Sequence, residues 1–180
     1  MDAFESVIAT LLEHKGYWTR TGFKVELTKD EKKQIGKPTC PRWEIDVIAY
    51  QGKTNTLLVY ECKSYLDSSG VRLSSFDSSN DRHADGYKLF NDCVLKQVVF
   101  NRLSLQLVEA GLCASSPQMK LCLAAGKIYQ DVKLIREHFN KNGWELWEPE
   151  DIRKDIEALV DSGYENTIIA IVAKMLLRNK

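Results

Sequence analysis

The chain has only three histidines, His14, His83 and His138, and they stand far apart. A histidine-based metal centre or a Ser-His-Asp triad therefore has no candidate. Its five cysteines, at positions 40, 62, 93, 113 and 122, include no CxxC pair. That spacing offers no zinc finger, and an odd count without a disulfide framework suits a reducing cytoplasm. A phosphate-binding glycine loop and internal repeats are also missing. No signal-peptide pattern opens the chain, and no apolar run approaches the roughly 20 residues of a membrane helix. The run Ile168–Ala173 is too short for that and reads as a packing face or a dimer contact. Net charge is missing as well: 25 Lys and Arg balance 25 Asp and Glu. A strong nonspecific nucleic-acid binder would carry a basic excess. With 180 residues and 44% hydrophobic content, the expectation is one soluble cytoplasmic domain that buries a single core and touches no membrane.

Charge is present but uneven. Residues 14–64 hold ten Lys and Arg against six Asp and Glu, whereas residues 145–165 hold eight acidic residues and two basic ones. The segment Lys29–Pro38 reads as a basic loop that either tracks a phosphate backbone or is simply solvated. The acidic C-terminal face would point away from DNA or toward a protein partner.

The most informative stretch is Trp43-Glu44-Ile45-Asp46-Val47, a polar turn at Gln51–Asn55, and Leu58-Val59-Tyr60-Glu61-Cys62-Lys63. Alternation predicts a β-hairpin, with Asp46 on the face opposite Ile45 and Val47, and with Val59, Glu61 and Lys63 sharing one face. Centring the hairpin on its turn sets Asp46 opposite Glu61 and Glu44 opposite Lys63. Opposed like charges destabilise a sheet, and unpaired charge among Val, Leu and Ile is costly. A bound cation would turn that defect into a site: two carboxylates and a lysine suit holding a divalent metal and a water beside a phosphodiester. The plainer alternative is a cross-strand salt bridge on a solvated sheet face.

In this order of elements the chain resembles the PD-(D/E)XK nuclease superfamily, which includes restriction endonucleases and archaeal Holliday-junction resolvases. That family's core is a helix bearing a glutamate, a meander bearing Asp and Glu-X-Lys, then a further helix and strand. Residues 1–147 would form this core, an α/β restriction-endonuclease-like fold with a central mixed β-sheet flanked by helices. Residue 45 is Ile where the motif often has proline; the nearest proline is Pro41. The resemblance implies that Asp46 and Glu61 ligate Mg²⁺, with Mn²⁺ as a substitute, that the Cys62 carbonyl completes the shell, and that Lys63 positions the attacking water. Glu5 matches the helix glutamate and would be an outer or second-metal ligand; a first-turn glutamate favoured by the helix dipole is the equal alternative, and Glu13 is the second candidate. On the following helix Gln97 is the candidate to reach the scissile phosphate, with Lys96 and Arg102 behind it. The implied activity is metal-dependent hydrolysis of DNA phosphodiesters by an endonuclease, with RNA not excluded as substrate and a homodimer or protein partner in view. The alternative keeps the fold without the chemistry: a catalytically silent domain that binds nucleic acid or a partner protein.

Helix periodicity places Asp2–Lys15 in a helix with Asp2 as its N-cap and Gly16 beyond its end, and Tyr87–Ala110 in one long core helix. Residues 65–86 form an inserted flexible loop that either covers the substrate groove or has no function. Met119–Gly126 reads as a buried strand, Val132–Asn142 as a helix stopped by Gly143, and Trp144–Trp147 as a short strand. Residues 148–180 supply two amphipathic C-terminal helices, Asp151–Asp161 and Glu165–Arg178, packed on the core.

Overall fold

The computed structural model describes residues 2–40, 42–76, 84–129 and 131–178. Helix α1 (Ala3–His14) starts where expected because Asp2 accepts the Phe4 N–H at 2.7 Å and Glu5 reaches back to the Asp2 N–H at 3.4 Å, a capping box. Strand β1 (Trp18–Val25), helix α2 (Lys29–Gln34), and strands β2 (Trp43–Gln51) and β3 (Thr56–Lys63) follow. Short 3-10 turns at Leu73–Ser75 and Ala84–Tyr87 lead into α3 (Lys88–Asn91) and α4 (Cys93–Glu109). The chain closes with β4 (Gln118–Ala125), α5 (Val132–Asn142), β5 (Glu145–Trp147), α6 (Pro149–Ala158) and α7 (Ile168–Leu177).

The result is an α/β fold: one five-stranded mixed sheet in the order β1-β2-β3-β4-β5, flanked by helices. The first three strands form an antiparallel meander, and β3, β4 and β5 run parallel. One face packs α4 and α5 over Ile48, Leu57, Val59, Leu121 and Leu123. The other packs α1, α6 and α7 over Val47, Ala49, Leu58, Tyr60 and Cys122. Leu121, Cys122, Leu123, Ala124 and Ala125 are buried in succession, because both faces of β4 are covered. The C-terminal helices hold Ile152, Leu159, Ala170 and Ala173 against α1.

Several elements differ from the sequence reading. Strand β1 was not anticipated, since Gly22 interrupts its alternation. The predicted single helix over Tyr87–Ala110 is broken at Asp92, whose extended backbone and side chain, accepting the Leu95 N–H at 2.8 Å, start α4 afresh. Within this stretch, read from the sequence as a core helix, Val94 and Leu105 are 48% and 50% exposed. The predicted basic loop contains α2, capped by Thr28, and its Glu31 is clasped by Arg102 of α4 through both Nε and an Nη. The described first part of the 65–86 connection is anchored, with Val71 and Phe76 buried and Val71 bridging Ile128, and Tyr87 just beyond its end is buried too. Residues 77–83, His83 among them, lie outside the described residues.

The alternation expected along β2 also fails at one point. Ile45 packs with Ile48 on the α4/α5 face, whereas Val47 packs on the α1 face. The strand therefore changes face at Asp46. The cause lies across the ladder, where Gly22 stands level with Asp46 between the pairs Thr21↔Val47 and Phe23↔Ile45 and adopts φ +57. A left-handed residue inside a strand breaks the pleat, and glycine does so at least cost.

Candidate functional site

Asp46, Glu61 and Lys63 meet at the end of the sheet where β2 and β3 part. The β2–β3 ladder runs from Gln51↔Thr56 to Val47↔Tyr60 and stops there. One step further, the Cys62 backbone N–H donates to Asp46 Oδ2 at 2.7 Å instead of to a strand carbonyl. The ladder keeps the expected register up to Val47↔Tyr60, and beyond it a side-chain-to-backbone lock, rather than a strand pair, holds Asp46 level with the Glu61-Cys62-Lys63 segment. Glu44 does not face Lys63 in a ladder pair; its carboxylate lies 4.0 Å from Lys24 Nζ. Lys63 Nζ instead donates to Glu61 Oε1, with both side chains about four-fifths buried at 20% and 23% exposure.

The electrostatics follow from burial and crowding. Desolvation raises the Asp46 carboxyl; the Cys62 N–H and Lys63 oppose the rise, and Glu44 and Asp2 add to it. Desolvation and then Asp46 raise Glu61 against the pull of Lys63. Lys63 loses hydration, which would lower its pKa, but Glu61 and Asp46 raise it overall and keep it an ammonium. Burial and the surrounding carboxylates Asp46, Glu5 and Glu61 push the Cys62 thiol up, so it stays protonated and its sulfur is no thiolate ligand. Glu5 is itself raised by desolvation and by Asp46. Its carboxylate thus serves the α1 capping box while standing within electrostatic reach of Asp46, Glu61 and Cys62.

The other candidates lie elsewhere. Glu13, near the far end of α1, accepts from Thr19 Oγ1 at 2.5 Å. Gln97 is exposed and donates along its own helix to Asn101 at 2.8 Å. Arg102 is engaged with Glu31. Conversely, Tyr87 was not singled out from sequence, yet its ring lies 5.8 Å from Lys63 Nζ. Gly86 lies beside the same side chain, since a Cβ there would stand 4.0 Å from Lys63 Cε. Tyr65 stands two residues beyond Lys63, and that i+2 spacing was its only signal. Burial first, then the neighbouring Tyr65 hydroxyl, raises the Tyr87 phenol, so it stays protonated.

A divalent cation fits this donor set in one particular way. Among the described residues no three His, Cys, Asp or Glu side chains converge as a ready cage. Mg²⁺ is ordinarily held by one or two carboxylates with waters and substrate phosphates completing its shell. Asp46 keeps Oδ1 and Glu61 keeps Oε2 outside the bonds to Cys62 and Lys63. Two raised, mutually repelling carboxylates are the charge distribution such an ion would relieve.

No family model matches this chain, and no curated protein matches it. Among solved structures, the crystal structure of a protein of unknown function, AF1548, is similar over 99% of this chain and 78% of that chain, at 18% sequence identity and a TM-score of 0.43. A likeness of that strength carries no argument about this site.

Proposed function

We propose that the chain is a metal-dependent DNA endonuclease that hydrolyses phosphodiester bonds on a restriction-endonuclease-like core. The observation that carries this reading is the convergence of the half-buried Asp46, Glu61 and Lys63 where β2 and β3 separate. Asp46 and Glu61 would hold Mg²⁺ or Mn²⁺, with Glu5 as an outer ligand and the Cys62 carbonyl beside them. When bound, the ion supplies Lewis-acid polarisation of the phosphate and lowers the pKa of water. Asp46 is aimed by the Cys62 N–H, so the carboxylate is in place before substrate arrives. Lys63 holds an ammonium beside Glu61, a cation for the phosphate oxygens as negative charge grows on them.

A second reading, a silent nuclease-like domain that binds nucleic acid or a protein, is favoured by one observation: Lys63 already partly neutralises Glu61, and no three-ligand group is preformed among the described residues. The two readings part in a cleavage assay on linear duplex, supercoiled plasmid, single-stranded and four-way-junction DNA with Mg²⁺ or Mn²⁺. Cutting by wild type, lost in both Asp46→Ala and Lys63→Ala, supports the endonuclease. No cutting of any form, with metal-independent binding retained in both variants, selects the silent domain.

A further inference from the structure

Beside Lys63 lies a second feature that the hydrolytic reading leaves unused. A cavity of about 170 Å³ is lined by Tyr65, Ser68, Ser69, Arg72 and Tyr87, among others. Among the described residues no Asp or Glu lines it. Two of its lining atoms, Arg72 Nε and Tyr87 Oη, are buried N–H and O–H donors without a well-formed hydrogen bond among the described residues. Tyr87 is 1% exposed. The Tyr65 hydroxyl stands at hydrogen-bonding range of the Tyr87 phenol and raises it, and Tyr87 Oη meets no partner with full hydrogen-bond geometry among the described residues. A buried donor without an acceptor forfeits its hydration with nothing in return, so the persistence of these donors asks for an acceptor-rich ligand.

The cavity is built rather than incidental. The Arg72 guanidinium lies 4.0 Å from the centre of the Tyr129 ring, which holds its plane. The backbone on one side is clamped by Val71 N–H to Lys127 O at 2.9 Å and Tyr129 N–H to Val71 O at 2.8 Å. Gly70, at φ +97, packs so closely that a Cβ would meet the Lys127–Tyr129 backbone at 3.0 Å. Tyr87 joins the two places: its hydroxyl serves the cavity while its ring lies under the Lys63 ammonium.

We propose that this cavity is a subsite for the phosphate next to the scissile one on the substrate strand, with Arg72 and Tyr87 as its donors. The inference rests on the phosphodiesterase reading and adds to it two binding residues outside the carboxylate cluster. A guanidinium and hydroxyls match a phosphate by charge and by hydrogen bonding, and a strand lying on Lys63 brings its neighbouring phosphate to Tyr87.

The test uses the full chain as wild type, Arg72→Gln and Tyr87→Phe, each checked for folding by circular dichroism. The substrates are oligonucleotides of one sequence carrying a neutral methylphosphonate beside the cleaved bond or at a distant position. Loss of one charge-assisted hydrogen bond predicts a KM about tenfold higher for Arg72→Gln, and loss of one neutral bond about fivefold for Tyr87→Phe, with kcat nearly unchanged. Wild type should lose a similar factor on the adjacent methylphosphonate and nothing on the distant one, and the variants should be indifferent to both. Unchanged KM in folded variants, or an undiminished methylphosphonate penalty, overturns the subsite while leaving the nuclease standing. If wild type cuts no substrate, the hydrolytic reading fails, and titration with inorganic phosphate decides the cavity. A melting-temperature rise seen in wild type and lost in Arg72→Gln keeps it as an anion site for free phosphate and overturns the strand subsite; no rise overturns both.

Discussion

Asp46 combines two demands that pull in opposite directions. Its Oδ2 is locked to the Cys62 N–H, yet burial and its acidic neighbours Glu44 and Asp2 raise its carboxyl. Asparagine retains an oxygen for that N–H and removes the charge. Asp46→Asn should therefore stabilise the metal-free protein by about 1 kcal/mol at pH 7.5, a melting-temperature rise of about 2–4 °C for a domain of this size. The same linkage fixes the pH dependence. A group whose folded pKa is raised contributes stability that is complete below its unfolded value, about 3.9 for Asp, and lost as pH rises through the folded one. The advantage of Asp46→Asn over wild type should be largest above neutrality and vanish near pH 4, read from paired melts across that range. An advantage that is constant with pH would mean that the aspartate is not raised.

At the scale of elements, two contacts position the site. Gly22 lets β1 and β2 break their pleat level with Asp46, and φ +57 is a conformation that alanine adopts only with strain. Gly22→Ala should cost about 1–2 kcal/mol in a denaturant titration, and where cleavage is measurable it should lower kcat by displacing Asp46. Equal losses from Ala at a neighbouring exposed β1 position, Arg20, would deny Gly22 its special role. The second contact is the clasp of Glu31 in α2 by Arg102 in α4. Burial alone would raise Glu31, but the Arg102 hydrogen bonds and the Thr28 N–H overcome it and hold the carboxyl below its ordinary value. A depressed carboxyl contributes stability above its unfolded pKa, about 4.3, and loses it as pH falls through the folded value. Glu31→Gln should cost about 0.5–1 kcal/mol at pH 7 after discounting for solvent screening, and nothing at the acid end of a pH series.

A metal held between Asp46 and Glu61 would make the stability of the whole molecule respond to that ion. Mn²⁺ at a hundred times its dissociation constant stabilises a folded protein by about 2.7 kcal/mol. The wild-type melting temperature should rise accordingly, and Asp46→Asn, though more stable without metal, should show no rise. Helix limits set by local chemistry were legible beforehand: Asp2 starts α1, and Gly143, left-handed at φ 68, stops α5. The hairpin turn, β4 and the pairing of Asp46 with Glu-X-Lys were legible as well, because alternation and turn residues act over a few positions. Strand β1 was hidden by its glycine, the break at Asp92 by an apolar pattern that continues across it, and the partners of Gln97, Arg102 and Glu31 by separations too long for any local pattern. The sequence by itself determined which residues carry charge among apolar neighbours, and so which chemistry the sheet end can offer. Only the tertiary structure decided that β2 changes face at Asp46, that the ladder opens there, that Tyr87 arrives beside Lys63, and that Arg72 shares a cavity with Tyr87. Those outcomes depend on contacts between distant segments, whose free energy is not written in the periodicity of either one.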